Sequence, residues 1–120
     1  MALTKVNLEE KFSQFSEYWR PKITAELNES YVKIAKLKGQ FVWHSHPVED
    51  ELFLVIKGRL QILFRDGKLT LEPNELVAIP QGVEHCPVAE EEVQVILIEP
   101  KTTVNTGNLS NNLTHENEWI

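Results

Sequence analysis

The chain has 120 residues, with 12 Lys and Arg against 18 Asp and Glu for a formal charge of −6, and 42% of it is hydrophobic. That length supports one domain with a single core and is too short for two. The acidic balance argues against nucleic acid or an anionic membrane surface as a partner, and the longest apolar run, Leu52-Phe53-Leu54-Val55-Ile56, is far too short to cross a bilayer.

The first residues, Met1 to Asn7, contain no apolar signal core, and the single cysteine, Cys86, has no intrachain partner for a disulfide. Both features lead to the expectation of a cytoplasmic protein. Asn7 followed by Glu10 forms a capping-box pattern, and Leu8, Phe12, Phe15 and Trp19 recur near helical spacing until Pro21 forbids continuation. Residues 1–20 are therefore predicted to hold a short amphipathic helix packed on the body of the protein. Residues 21–100 read as a succession of short strands: Lys22 to Leu27, Tyr31 to Lys38, Gln40 to His46, Glu51 to Ile56, Arg59 to Arg65, Lys68 to Leu71, Leu76 to Ile79, Val83 to Val88 and Val93 to Glu99. Lys57-Gly58 and Asp66-Gly67 read as hairpin turns, Pro73-Asn74 and Gln81-Gly82 as further turns, and Ala89 to Glu92 as a charged loop. Strands at this density with no helical pattern among them predict an all-β double-sheet jelly roll. Residues 101–120 lack sustained periodicity and form either a C-terminal arm or a tail; Trp119 and Ile120 favour the arm.

The candidate site lies within the strand region. In His44-Ser45-His46 the two imidazoles share one face of a strand, about 6–7 Å apart along it, and make a bidentate clip. Pro47-Val48-Glu49-Asp50 is a polar turn that can bring Glu51 back alongside them, and His85 follows a second turn, Pro80 to Glu84. Three imidazoles and a carboxylate are a metal donor set, and on this reading they meet only if the sheet closes on itself. Cys86, the neighbour of His85, points away from the site and reads as a small buried apolar residue. Glu49-Asp50 and Glu90-Glu91-Glu92 read as solvated turns.

Written out, the chain carries G-x4-H-x-H-x4-E-x6-G from Gly39 to Gly58 and P-x-G-x2-H from Pro80 to His85. Together these strongly resemble the two signature motifs of the cupin superfamily, small β-barrels that commonly hold a divalent metal. The resemblance implies a double-stranded β-helix barrel over residues 21–100, with His44, His46, Glu51 and His85 as ligands of one divalent ion. It departs from the usual pattern in three places. The Gly39 to His44 gap is one residue short, Asn74 stands where glycine usually opens the second motif, and Ala89 stands where asparagine usually closes it. Small single-barrel members look like the metal domain of mannose-6-phosphate isomerase-like cupins, but no cluster of inward cations is visible here to hold a phosphate.

Strand parity extends the site. If His44 and His46 face inward, so do Gln40 and Val42; if Glu51 does, so do Phe53 and Val55. These four residues are the candidate substrate contacts. The opposite faces carry Phe41, Trp43, Leu52, Leu54 and Ile56, too much apolar surface to leave in water, and a second subunit is the simplest cover beyond the N-terminal helix. A homodimer is therefore expected. The donor set suits Fe, Mn, Ni, Cu or Zn and leaves positions open for water, dioxygen or substrate. Two functions follow: a metal-dependent enzyme acting on a small organic molecule, with isomerase, oxygenase and lyase chemistry all open, or a non-catalytic metal or small-ligand binding module.

Overall fold

The computed structural model describes residues 3–120; Met1 and Ala2, which begin the predicted N-terminal segment, lie outside the described residues. One helix and eight strands follow in chain order: α1 (Leu8–Phe12), β1 (Lys22–Leu27), β2 (Ser30–Gln40), β3 (Glu51–Lys57), β4 (Leu60–Phe64), β5 (Gly67–Leu71), β6 (Leu76–Ile79), β7 (Cys86–Pro100) and β8 (Glu118–Trp119). The chain is mostly β, and its strands form one sheet in the order β5-β4-β7-β2-β1-β8, with β3 pairing β7 and β6.

The long strand β7 organises this sheet. It pairs β2 along almost its whole length, while its other edge meets β4 at Cys86 to Val88 and then β3 at Gln94 to Ile98. The pairing path is not a closed ring, so the expected closure is not what brings the donors together. One strand passing from the β4 partner to the β3 partner folds the sheet over its core instead. The core is an alternation read out by the pleat: Val93, Val95 and Leu97 of β7, Phe53 and Val55 of β3, Ala35 and Leu37 of β2, and Leu60 and Ile62 of β4 are all buried.

Local chemistry explains where the elements differ from expectation. Asn7 caps α1, its side chain accepting from Glu10 N, but the helix ends at Phe12 because Ser13 turns its hydroxyl back onto the Glu10 carbonyl. Phe15 and Trp19 therefore pack from an extended segment rather than a helical stripe. Trp19 adopts φ 61, with its backbone N–H donating to Lys36 O and its indole donating to Lys38 O. The predicted strand over 40–46 is absent; β2 ends at Gln40, and beyond it only His44 makes a bridge. The predicted loop at 89–92 lies inside β7, where Glu90 to Glu92 form an exposed bulge opposite Lys38 between the pairs Leu37↔Val93 and Gly39↔Ala89. Asn74, at the position where glycine is usual, takes φ 72, a left-handed conformation that Asn tolerates.

Residues 101–120 lie along the body of the protein. β8 adds in parallel to β1, and Glu118 pairs with Arg20 and Lys22. Trp119 remains half exposed and packs edge-on against Tyr31. Upstream, Asn108 N donates to Ser45 O while Asn108 Oδ1 accepts from Ser45 N, stapling this segment to the backbone between His44 and His46. Gly107 is required there: its φ is +59, and a Cβ would sit 2.2 Å from Ser45 O. Gly107→Ala is expected to destabilise the protein by about 2 kcal/mol and to open the segment to limited proteolysis. Unchanged thermal unfolding and cleavage would mean the staple is loose.

Candidate metal centre

Two turns deliver the four donors. His44 and His85 face each other across an antiparallel bridge, with His44 N donating to His85 O at 3.0 Å and His85 N to His44 O at 2.9 Å, which brings their rings to 4.4 Å, tilted by 53°. His46 is fixed by its own carbonyl, which accepts from Gly82 N. Glu51 opens β3, where Asp50 steadies the approach by accepting from Gln81 N. One donor atom from each of His44, His46, Glu51 and His85 lies within 4.8 Å of the others, and all four residues are buried. Glu51 Oε1 sits 3.3 Å from His46 Nε2 and 3.5 Å from His85 Nε2.

The tautomers are set from behind. His44 Nδ1 and His85 Nδ1 each donate to the carbonyl two residues upstream, of Val42 and Val83, which turns the Nε2 lone pairs toward the centre. Glu51 Oε1, His46 Nε2 and His85 Nε2 are buried and lack hydrogen-bond partners in the protein. A metal ion is the group such a convergence of unpaired acceptors fits, because it satisfies all of them at once where no hydrogen-bond donor is present.

Burial lowers His44 to about 4 and so keeps it neutral, the form that binds metal. Burial works to raise Glu51, but the neighbouring Glu99 carboxyl and the His46 and His85 imidazoles outweigh it and hold Glu51 well below the usual carboxylate range. Glu99 goes the other way: burial, then the charge of Glu51, push it well above that range against the pull of Lys33. Between pH 6.5 and 4 the unfolded chain protonates His44 and the folded one does not, so this group's contribution to stability falls as pH drops. The metal-free protein is expected to lose up to about 3 kcal/mol across that window from this residue. Urea titrations of wild type and His44→Gln at several pH values check it: the same pH slope in both would remove His44 as the cause.

A cavity of about 30 Å³ adjoins the cluster, room for a water-sized group or two beside it, and is lined by residues including Trp19, Leu37, Phe41, Phe53, Leu97 and Glu99. Of the four parity-based substrate contacts, Phe53 borders this cavity. Val55 is buried in the core, Val42 is half-buried, and Gln40 is exposed at the end of β2; none of these three lines it. Phe41, assigned to the outer face, turns inward, is buried, and stacks on Trp19 at 4.7 Å. The reason is that strand parity does not carry across a segment that is not a strand. Parity does hold on β3, where Glu51, Phe53 and Val55 are buried and Leu52, Leu54 and Ile56 are half-buried outside. Cys86 is buried with its sulfur toward the Phe41 carbonyl, and burial raises its thiol. Glu49, read as a solvated turn, is buried and accepts from Thr102 Oγ1. Arg59 and Arg65 are exposed and pair with Glu72 and Glu84, so neither faces the cavity.

Sequence reasoning missed Glu99 and its partner Lys33. Both are buried and their side chains meet at 2.8 Å. The signal was available: Glu99 continues the inward alternation Val93-Val95-Leu97, and Lys33 shares that face of β2 with Ala35 and Leu37.

A small β-sheet protein with a buried three-histidine, one-carboxylate cluster is the class this geometry defines. A family model described as Cupin domain matches residues 30–99, more than half of the sequence, and the chain belongs to that family. The uncharacterized protein YdbB of Bacillus subtilis (strain 168) is 37% identical over 79 residues, covering 65% of this chain and 64% of that protein, less than two thirds of its length. Among solved structures, a cupin-2 domain containing protein from Shewanella frigidimarina NCIMB 400 shares 47% identity at a TM-score of 0.78, over 79% of this chain and 93% of its own. Protein NMB1881 from Neisseria meningitidis shares 28% identity at a TM-score of 0.74, over 81% of this chain and 99% of its own. Trp19 and Asn105, which line the cavity, lie outside the matched family segment. Among the described residues, no helix is long and apolar enough to cross a membrane.

Proposed function

We propose that this chain is a jelly-roll cupin that holds one divalent metal ion on His44, His46, Glu51 and His85 and uses it on a small organic molecule. The observation that carries the reading is the convergence of four buried donors within 4.8 Å, with Glu51 Oε1 and two imidazole nitrogens otherwise unpaired. A divalent ion of the Fe, Mn, Ni or Zn type supplies Lewis acidity there and, with iron, access to oxygen chemistry. The protein's own part is to hold the His44 and His85 imidazoles in one tautomer through Val42 O and Val83 O and to keep His44 neutral. It also offers substrate an apolar wall that includes Phe53, Phe41 and Trp19. The apolar wall supports a neutral or weakly polar substrate over a phosphosugar: Lys33, the nearest buried cation, is already engaged by Glu99 and Asn117. Elemental analysis of protein purified without added metal tests the first part, with about one equivalent per chain expected. Oxygen uptake and a substrate panel, with and without chelator, then separate an enzyme from the second reading, a binding module.

The assembly we propose is a homodimer in the cytoplasm. Cross-strand register lines up Ala78, Leu52, Ile98 and Val32 in one row on the outer sheet face, and Leu76, Leu54 and Ile96 in the next. Leu76 is 58% exposed, and most of the others are half-buried. A second copy covers this face by using it twice. Light scattering at micromolar concentration is expected to return twice the chain mass, falling to one chain mass for Leu54→Glu; a monomeric wild type removes the assembly.

A further inference from the structure

All four donors are at most 4% exposed, and the chamber beside them has room for a water-sized group or two, so the site is shut in this structure. The element that shuts it is the segment 102–116. Asn105 supplies one wall of the chamber, and Gly107 lies so close to the His44 ring that a Cβ there would sit 3.0 Å from its Cδ2. The ends of this segment nearly meet, with Asn117 Nδ2 donating to Lys101 O at 3.4 Å, which is the arrangement of an Ω-loop. Both ends are anchored: Lys101 N donates to Glu29 O, and β8 pairs with β1 just beyond Asn117. Between them the loop is bonded mainly to itself. Asn105 accepts from His115 N and donates to Leu113 O, Thr106 Oγ1 meets Thr114 Oγ1, and Leu113 N and Thr114 N close turns on Asn111.

What holds the loop down is slight by comparison. At its tip Asn108 exchanges two hydrogen bonds with Ser45, between the donors His44 and His46, and near the hinge Thr102 Oγ1 donates to Glu49 Oε2. Its large apolar side chains do little to anchor it, since Val104 is 44% and Leu109 39% exposed. A segment stiffened by its own bonds, hinged on neighbouring ends and held at the tip by a few polar contacts opens at low cost as one body. We propose that residues 102–116 are a rigid lid over the four-donor cluster, latched by Asn108 on Ser45, that swings away to admit an ion or a small organic molecule and then recloses. The proposal rests on the metal-centre reading for what lies under the lid. It adds to that reading the device that controls entry.

Hydrogen exchange in the metal-free full chain, read residue by residue by NMR, follows the motion without any ion. One swing frees both latch hydrogens, so the Ser45 and Asn108 amides are expected to share one opening constant to within about threefold, at least about a hundredfold above that of β7 amides such as Val95. The His115 amide, held by Asn105 inside the loop, is expected to stay at least about tenfold more protected than the latch. Cobalt kinetics then read the gate. Asn108→Ala takes the acceptor from Ser45 N and is expected to speed both cobalt uptake and its release to excess EDTA by about fivefold, with affinity held within about threefold. Asn108→Asp, which keeps an accepting oxygen, is expected to stay within about twofold of wild-type rates. Latch amides as protected as Val95, a His115 amide that exchanges along with them, or cobalt rates indifferent to Asn108→Ala each overturn the lid. If wild type retains no cobalt, the metal reading falls and the exchange pattern alone decides the lid. Cobalt held firmly with core-like protection at the latch keeps the metal and removes the lid.

Discussion

Replacing His85 with alanine is expected to lower divalent-metal affinity by at least about a hundredfold, since even residues that merely support a metal ligand are worth about 10–100-fold. His85 sits opposite His44 in the bridge and 3.5 Å from Glu51 Oε1, so its loss opens one side of the donor cluster. His46→Ala, which removes the nitrogen 3.3 Å from the same oxygen, is expected to do as much. The effect reads out twice. In chelator competition the variants release metal at lower chelator concentration. In thermal unfolding, wild type at about a hundred times its dissociation constant gains about 2.7 kcal/mol, a rise of about 10 °C, which the variants lack. Metal-dependent stabilisation of equal size in all three proteins would place the ion elsewhere.

Glu99→Leu is expected to destabilise the fold by about 3–5 kcal/mol, a fall in Tm of about 15 °C, because it leaves the Lys33 ammonium, 2% exposed, without a counter-charge, beside the Asn117 amide oxygen and the Tyr31 ring. Lys33→Met/Glu99→Leu is expected to recover to within about 1 kcal/mol of wild type, since apolar residues of similar volume can replace a buried ion pair at little loss. Urea unfolding of the single and double variants measures the difference. Equal instability of the two would show that Lys33 and Glu99 do not depend on one another.

These two expectations draw on parts of the molecule that were unequally visible in its sequence. The donors were legible because the chemistry is local: a two-residue histidine spacing, a proline-led turn to Glu51, and a second turn ending at His85. Burial along β3 followed strand parity for the same reason, and the left-handed turn at Asn74 needed only the tolerance of its side chain. Parity failed for Gln40, Val42 and Phe41 because the chain leaves the sheet after Gln40, and a side chain's direction there is set by bridges to Pro87 and His85 rather than by the pleat. α1 came out shorter than its apolar stripe because Ser13 competes for a backbone carbonyl, a local bond that outweighs periodicity. Glu99 was hidden by its setting, as a carboxylate at the end of an apolar alternation looks like a strand terminus until Lys33 is found beside it across the β2–β7 pairing. The contact of residues 105–108 with the His44–His46 backbone is equally non-local; it depends on Gly107 approaching Ser45 from more than sixty positions away in sequence.

X-ray absorption on the metal-loaded protein reads the donor set itself. One tightly held ion per chain is expected, with three imidazole nitrogens and a carboxylate oxygen at about 2.0–2.2 Å, and one imidazole fewer in that shell in His85→Ala. A protein that retains no ion when offered Fe, Mn, Ni, Co and Zn, or a shell made of oxygen donors alone, would contradict it.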